Sequence, residues 1–193
     1  LIFVSKMSVG SAFRESFFNV VSCITTTGFF VSNYTLWPVF LWILLFQLMF
    51  IGACSGSTSG GIKLQRHLAF SKNIFVELRK LIHPNAIIPV KINGKSLTRQ
   101  AIYKNMTFVF IYFLVFIAGV VILRTLGLDF NTAFGASIAT LSNIGTGLGK
   151  VGPYCNYAFV PQIGKWVLML FMLLGRVELF SLITLFSRTF WRK

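Results

Sequence analysis

The sequence predicts an all-α integral membrane protein assembled from repeated units of re-entrant helix, polar strand and membrane span. Three observations carry that prediction. Of 193 residues, 55% are hydrophobic and only 11% are charged, and the mean hydropathy is +0.77; soluble domains are about 25% charged, and a globule of this size cannot hide so many large apolar side chains. No charged residue occurs from Ser16 to Ile62, a run of 47 residues. The chain also resembles itself at an offset of 117 residues, from Phe13 on Phe130 to Gly28 on Gly145.

The same composition excludes disordered, collagen-like and disulfide-framework classes. The formal net charge is +14, from 18 Lys and Arg against 4 Asp and Glu. In a soluble protein that would suggest nucleic acid. In a membrane protein it is better read as positive cytoplasmic loops touching anionic membrane lipid, with no nucleic-acid partner. Cys23, Cys54 and Cys155 form no C-x-x-C pair and are odd in number, so they read as small apolar packing residues rather than a disulfide or zinc framework. No signal peptide is expected, because the apolar run from Ser16 is too long and lacks a cleavage pattern. The chain opens at Leu1 without a Met and reads as a piece of something longer.

A bilayer core of about 30 Å takes roughly 20 apolar residues as helix. The uncharged run is too long for one span and too short for two spans with an ordinary loop. Its middle carries Thr25, Thr26, Thr27, Gly28, Ser32, Asn33, Tyr34, Thr35 and Pro38. The economical solution is a re-entrant helix over about 12–24, a polar strand over 25–28 and a span over about 37–62. Non-helical backbone is tolerated at membrane depth only where it lines a cavity or packs in protein, so this run hints at a pore or a binding site. Gly52, Gly56, Gly60 and Gly61, with Ser55, Ser57, Thr58 and Ser59 among them, will not hold a straight helix. The span is therefore expected to be broken, inside the membrane or at its cytoplasmic edge.

Nine positive residues (Lys63, Arg66, Lys72, Arg79, Lys80, Lys91, Lys95, Arg99 and Lys104) face one negative residue, Glu77, in the next segment, which places it in the cytoplasm. An amphipathic helix is expected over 63–82, with Leu64, Leu68, Phe75, Leu78 and Ile82 on one face, ended by His83-Pro84. A cytoplasmic connector over 83–104 contains a hairpin around a type I′ turn at Asn93-Gly94. A span over about 105–124 leads outward. Asp129 is expected to cap a second re-entrant helix over about 130–141. The last span, about 166–187, returns inward to Arg188, Arg192 and Lys193.

In the repeat, Phe17 falls on Phe134, Val21 on Ile138, Ile24 on Leu141 and Thr25 on Ser142, without a gap over about 16 residues. Gly52 then meets Gly175 at an offset of 123. Polar and glycine positions coincide, not only the apolar ones. A short helix that stops near mid-membrane and turns back exposes successive carbonyl oxygens, which can replace the hydration shell of a cation. The carboxyl end of the helix adds roughly half a negative charge, and Gly admits backbone conformations that a side chain forbids. No carboxylate is needed.

The residues that carry a family resemblance are SCITTTGFF (Ser22 to Phe30), IGACSGSTSGGIKLQR (Ile51 to Arg66), LIHPNAIIPVKING (Leu81 to Gly94), LSNIGTGLG (Leu141 to Gly149) and MLLGRVELF (Met172 to Phe180). Their order and spacing resemble the Trk/Ktr/HKT family of potassium transporters along nearly the whole chain, and in particular the C-terminal half of the bacterial Trk-type transmembrane subunit. The resemblance implies a pseudo-fourfold cation pore of four helix–P-loop–helix repeats, two of which are present here. They are a third repeat over 1–82, without its first span, and a fourth over 105–193. It implies a potassium-binding filter at Thr25, Thr26, Thr27 and Gly28 and at Ser142, Asn143, Ile144 and Gly145. It implies a gate formed by the intramembrane loop Ser55, Gly56, Ser57, Thr58, Ser59, Gly60 and Gly61, with Arg176 reaching into the pathway nearby. It further implies potassium uptake, a multi-pass position in the bacterial inner membrane, a cytoplasmic nucleotide-binding regulatory subunit and a homodimer of the full-length protein. No cofactor and no enzymatic activity are implied; potassium is the substrate. Gly at both visible filter positions leans towards potassium over sodium. The alternatives are a sodium or other monovalent-cation transporter, and a non-conducting fragment or assembly subunit.

Competing motif readings fail on spacing. In the segment from Gly56 to Lys63, Ile62 separates Gly61 from Lys63, so no phosphate loop of the Walker type is present, and Gly145, Gly147 and Gly149 miss G-x-G-x-x-G by one residue. An enzyme acting on lipid phosphates would need a cluster of His, Asp and Glu; the four acids are scattered, and His67 and His83 lack ligand-spaced partners. Arg176 costs several kcal/mol at the bilayer centre unless paired or functional. Glu178 lies two residues away, on a different helical face, so Arg176 reads as pore-facing, where it raises the barrier to cations. Lys63, Arg66, Arg79 and Lys80 read as lipid-facing topology signals ahead of a docking surface for a regulatory subunit.

Overall fold

In the computed structural model, which describes residues 8–86, 88–177 and 191, helices carry the fold. Helix α1 spans Val9–Ile24, α2 Val39–Phe50, α3 Leu64–Ile82, α4 Arg99–Thr125, α5 Phe130–Leu141 and α6 Gln162–Arg176. The paired strands among the described residues are two-residue pieces. Strand β1 (Ile51–Gly52) runs parallel to β2 (Ile62–Lys63), and β3 (Lys91–Ile92) runs antiparallel to β4 (Lys95–Ser96).

Capping explains where the helices begin. The Ser8 hydroxyl accepts from the Ser11 amide, so α1 starts at Val9 rather than near residue 12. The Thr98 hydroxyl accepts from the Ala101 amide, so α4 starts at Arg99 rather than near residue 105 and takes in Lys104. Helix α4 rises about 40 Å over its 27 residues. It is the one helix among the described residues long and apolar enough to cross a membrane. Helix α2, at 12 residues, reaches only about 18 Å. It stops at Phe50, and β1, a loop and β2 separate it from α3, so the segment 37–62 is a helix for half its length. His83 follows α3 directly, and the hairpin turns through Asn93 and Gly94 with φ of 49° and 79°. The final expected span is described as α6 up to Arg176; its continuation towards residue 187, and Glu178, lie outside the described residues.

Helix α5 is the hub. From Ala136 to Leu141 every residue is fully buried, as are Thr132 and Ala133. Its Ala, Ser, Thr and Gly residues let neighbours approach closely, the way small residues serve packed membrane helices. A Cβ at Gly135 would strike the backbone of Leu148, and one at Gly119 of α4 would enter the ring of Phe171 on α6. An aromatic cluster joins α2, α4 and α5. The Phe46 and Phe134 rings stack at 4.6 Å, Phe116 meets Phe134 edge-on at 5.0 Å and Phe50 meets Phe116 at 5.3 Å.

The expected apolar face of α3 turns away from the rest of the chain. Leu64, Leu68, Phe75, Leu78 and Ile82 of α3 share a face, but all are exposed, Phe75 by 66% and Ile82 by 75%. Helix α3 packs instead through Ala69, Asn73 and Val76. Periodicity marks an apolar face without saying which way that face turns.

At the start of α5, Asp129 Oδ2 accepts from the Thr132 amide at 3.2 Å and from the Thr132 hydroxyl at 2.8 Å, and the Lys150 ammonium lies 3.8 Å from Oδ1. Partial desolvation pushes this carboxyl up, but the hydrogen bonds from Thr132 and the charge of Lys150 outweigh it and hold the pKa below its ordinary 3.8. The cap therefore stabilises at neutral pH and is lost as pH falls through the lowered folded-state pKa. Asp129→Ala is expected to lower stability by about 1 kcal/mol at pH 7. In thermal unfolding of the detergent-solubilised chain, the gap to wild type should narrow towards pH 3.

Candidate functional site

Two helices, α1 and α5, end in the same way at positions 117 residues apart. At the end of α1, the amides of Thr25, Thr26 and Thr27 donate to the carbonyls of Val21, Cys23 and Ser22 at 2.9, 3.2 and 3.0 Å. At the end of α5, those of Ser142, Asn143 and Ile144 donate to Ile138, Thr140 and Ala139 at 2.8, 3.1 and 2.9 Å. Both are Schellman closures, which satisfy helix-end carbonyls without water. Each needs a left-handed residue after the cap, supplied here by Thr26 (φ 54°) and Asn143 (φ 55°). Asn tolerates that conformation; a β-branched Thr is strained there, and such strain concentrates at functional positions. Two residues later the sign of φ is positive again, at Gly28 (78°) and Gly145 (95°).

The two turns touch. A Cβ at Gly28 would fall on the carbonyl of Ile144, so the strands after α1 and α5 lie backbone against backbone. Hydroxyl groups brace the turns and the segments that follow them. Ser22 donates to the Phe29 carbonyl at 2.6 Å, Tyr157 to the Gly145 carbonyl at 2.7 Å and Tyr34 to the Gly147 carbonyl at 2.8 Å. Tyr112 of α4 shares a 2.8 Å hydrogen bond with Ser142. None of these tyrosines was indicated by the repeat, since position 151, the counterpart of Tyr34, holds Val. The available signal was weaker: an aromatic hydroxyl in an apolar setting needs a polar partner.

The loop over 53–61 lies against both turns. A Cβ at Gly60 would overlap the Ser142 carbonyl, and the Gly60 amide reaches the Thr26 hydroxyl at 3.4 Å. Within the loop, Ser59 accepts from the Ala53 amide at 3.1 Å, Ser57 shares a 2.7 Å hydrogen bond with Ser59, and Ser57 donates to the Cys54 carbonyl at 2.8 Å. From β2, the Lys63 ammonium donates to the Ser55 carbonyl at 3.0 Å. From α6, the Arg176 guanidinium donates to the Thr58 carbonyl. The Asn143 side chain donates to the Met172 carbonyl at 3.1 Å, and Gly175 gives the room this needs, since a Cβ there would meet the Leu141 carbonyl. A small cavity of about 140 Å³ sits beside the loop, lined by Ser57, Thr58, Lys63, Arg66, Tyr112 and Arg176 among others.

All sixteen residues singled out in the sequence as filter or gate thus fall in one contiguous assembly: two turns, the loop over 55–61 packed on them, and Arg176 tied to that loop. Gly52 and Gly175, aligned at the second offset, both sit at close backbone approaches, with different partners: Gly52 against the Gly60 carbonyl, Gly175 against the end of α5. Among the described residues, no group of three His, Cys, Asp or Glu side chains is arranged for a metal ion.

Comparison with known proteins gives a consistent picture. The TrkH family model, described as cation transport protein, matches residues 2–193. The Trk system potassium uptake protein TrkH of Salmonella typhimurium is 41% identical over 180 residues, covering 93% of this chain and 37% of that protein. The Trk system potassium uptake protein TrkG of Escherichia coli strain K12 is 34% identical over 189 residues, covering 98% and 39%. The crystal structure of the potassium transporter TrkH from Vibrio parahaemolyticus superposes with a TM-score of 0.88 at 40% identity, covering 96% of this chain and 39% of that one. The chain therefore spans under two fifths of the length of these relatives.

The glycine contacts generate a paired prediction. Gly60→Ala forces a methyl group into the Ser142 carbonyl and is expected to cost about 1–3 kcal/mol. Gly56→Ala, four residues away with nothing within 4 Å, should change stability by no more than about 0.5 kcal/mol. Thermal unfolding of the two variants side by side reads the difference.

Proposed function

The chain belongs to the TrkH family of cation transport proteins, and from that premise we propose that it supplies half of a potassium-conducting pore. The observation that carries the proposal is the pair of helix ends with matching hydrogen bonds and matching φ signs, brought into contact at Gly28 and Ile144. A regular strand turns successive carbonyls to opposite sides. A positive φ at every second residue undoes that alternation, so the carbonyls of Thr25 to Gly28 and of Ser142 to Gly145 can face one axis. There they replace the water around a dehydrated potassium ion. The carboxyl ends of α1 and α5 contribute partial negative charge at the same place. On this reading α1 and α5 are re-entrant helices, the turns lie near mid-membrane, and two further loops from the rest of the protein complete the ring. The membrane potential drives the ion, worth about 2.3 kcal/mol per charge per 100 mV.

The loop over 55–61 is the proposed gate. It lies on the inner side of both turns and is small, polar and flexible in composition. Arg176 holds it through the Thr58 carbonyl and adds a positive charge beside the path, which opposes cation passage until loop and guanidinium move apart. Helix α3 and the hairpin then form a basic cytoplasmic face, and a nucleotide-binding regulatory subunit and a second copy of the full-length protein are the partners proposed for the assembly.

Co-expression of this chain with the remainder of the protein, in a bacterium stripped of its potassium uptake systems, tests the reading. Growth at limiting potassium should be rescued by both pieces together and lost with Gly28→Val. Arg176→Gln should raise rubidium influx about tenfold, the effect of lowering a barrier by about 1.4 kcal/mol. Absence of rescue with both pieces present in the membrane would overturn the pore in favour of a non-conducting assembly subunit, and rescue dependent on sodium in favour of a sodium pathway.

A further inference from the structure

Helices α3 and α4 and the connector between them border an open cleft of about 680 Å³, inside the range of small-molecule sites. Lys80, Arg99 and Tyr103 contribute polar groups to its lining, and Val76, Ile102 and Met106 apolar ones. Glu77 also borders it and accepts from Lys80 at 2.7 Å, which engages one of the three donors of that ammonium and leaves two.

Its depth matters, and here the inference rests on the membrane reading above. Tyr112 of α4 contacts the end of α5 through Ser142, which that reading sets near mid-membrane. Ile102 precedes Tyr112 by ten residues of the same helix, a rise of about 15 Å, half the thickness of the hydrocarbon core. The cleft therefore sits where the phosphates of the cytoplasmic leaflet lie, in a segment carrying nine basic residues against one acid. Basic pockets between membrane helices on the cytoplasmic side suit anionic headgroups. The planar fork of Arg99 suits a phosphate in particular.

We propose that this cleft binds the headgroup phosphate of one anionic phospholipid of the cytoplasmic leaflet, held by Lys80 and Arg99 and flanked by Tyr103. The glycerol and the first acyl methylenes lie against Val76, Ile102 and Met106. A lipid there bridges α3 to α4, and α3 is the helix into which the gate loop runs.

The test is native mass spectrometry of the membrane-extracted chain with dioleoylphosphatidylglycerol and, separately, dioleoylphosphatidylcholine. One phosphatidylglycerol should stay bound at collision energies that strip phosphatidylcholine. The double variant Lys80→Gln/Arg99→Gln should retain it about thirtyfold less, the factor expected from two basic contacts to anionic lipid. The pair Lys91→Gln/Lys95→Gln, outside the cleft, should retain it as wild type does. Circular dichroism establishes that each variant is folded, and the single variant Arg99→Gln replaces the double if that loses helicity. Equal retention of the two lipids, or equal losses in both pairs, overturns the site. Displacement by equimolar glycerol phosphate, which has the phosphate without the chains, makes the ligand a soluble phosphate and also overturns it. A chain absent from the membrane fraction overturns the membrane reading itself, whereas an inserted chain indifferent to phosphatidylglycerol overturns the lipid site alone.

Discussion

Much in this chain follows from the way two of its helices are made to stop. The last carbonyls of a helix have no intrahelical donor, and an unsatisfied carbonyl in an apolar setting costs several kcal/mol. Helices α1 and α5 meet that need with the same closure, in which the next three amides fold back onto the final turn. The closure demands a left-handed residue and throws the chain abruptly off the helix axis. The polar strand, its positive φ at Gly28 and Gly145, and its proximity to the helix ends are consequences of that stop. A helix continued through Thr26 or Asn143 would have no turn to present and nothing for the loop over 53–61 to rest on.

The two stops sit in different surroundings. Helix α5 is wrapped by α4, α6 and the loop after it, and is buried nearly throughout. Helix α1 leaves Phe13 70% and Phe17 61% exposed, with contacts mainly to α2 among the described elements. Yet their terminal turns are nearly the same in hydrogen bonds and φ. That separates local from tertiary causes: the closure is set by the chain's own backbone and by residues that accept φ near 55°, not by the degree of burial. The tertiary structure supplies the braces instead, through Tyr34, Tyr112 and Tyr157 from three different parts of the chain.

Features governed by local chemistry were legible in the sequence. The hairpin turn at Asn93-Gly94, the stop before Pro84 and the cap at Asp129 each depend on one or two residues, and each is found where those residues stand. The matching ends of α1 and α5 were legible because glycine and polar positions recur with the apolar ones. The inward face of α3 was not, because periodicity marks an apolar face without saying which way that face turns. The beginnings of α1 and α4 were hidden for a related reason: counting uncharged residues finds the apolar length of a helix, whereas Ser8 and Thr98 set its hydrogen-bonded length. The tyrosine braces act across as many as 113 positions, and no short-range pattern encodes such a pairing.

The loop over 53–61 has the construction of a part that moves as a unit. Many of its hydrogen bonds are internal: Ala53 to Ser59, Ser57 to Ser59 and Ser57 to Cys54. Across its boundary, the Leu64 amide donates to the Ala53 carbonyl at 3.2 Å and ties the base of the loop, while rotatable side chains meet backbone between Thr26 and Gly60, Lys63 and Ser55, and Arg176 and Thr58. Displacing its tip would break contacts that flexible side chains can remake elsewhere, while the base and the internal set persist. Its backbone also meets the turns through Gly60, where the absence of a Cβ permits contact without interlocking side chains. Segments with few buried apolar contacts open at the low end of a protein's stability range. On the proposed gating role, the Arg176 contact then does two things at once: it closes the loop mechanically and supplies the charge that opposes a cation, so that a single hydrogen bond couples the position of α6 to the height of the barrier.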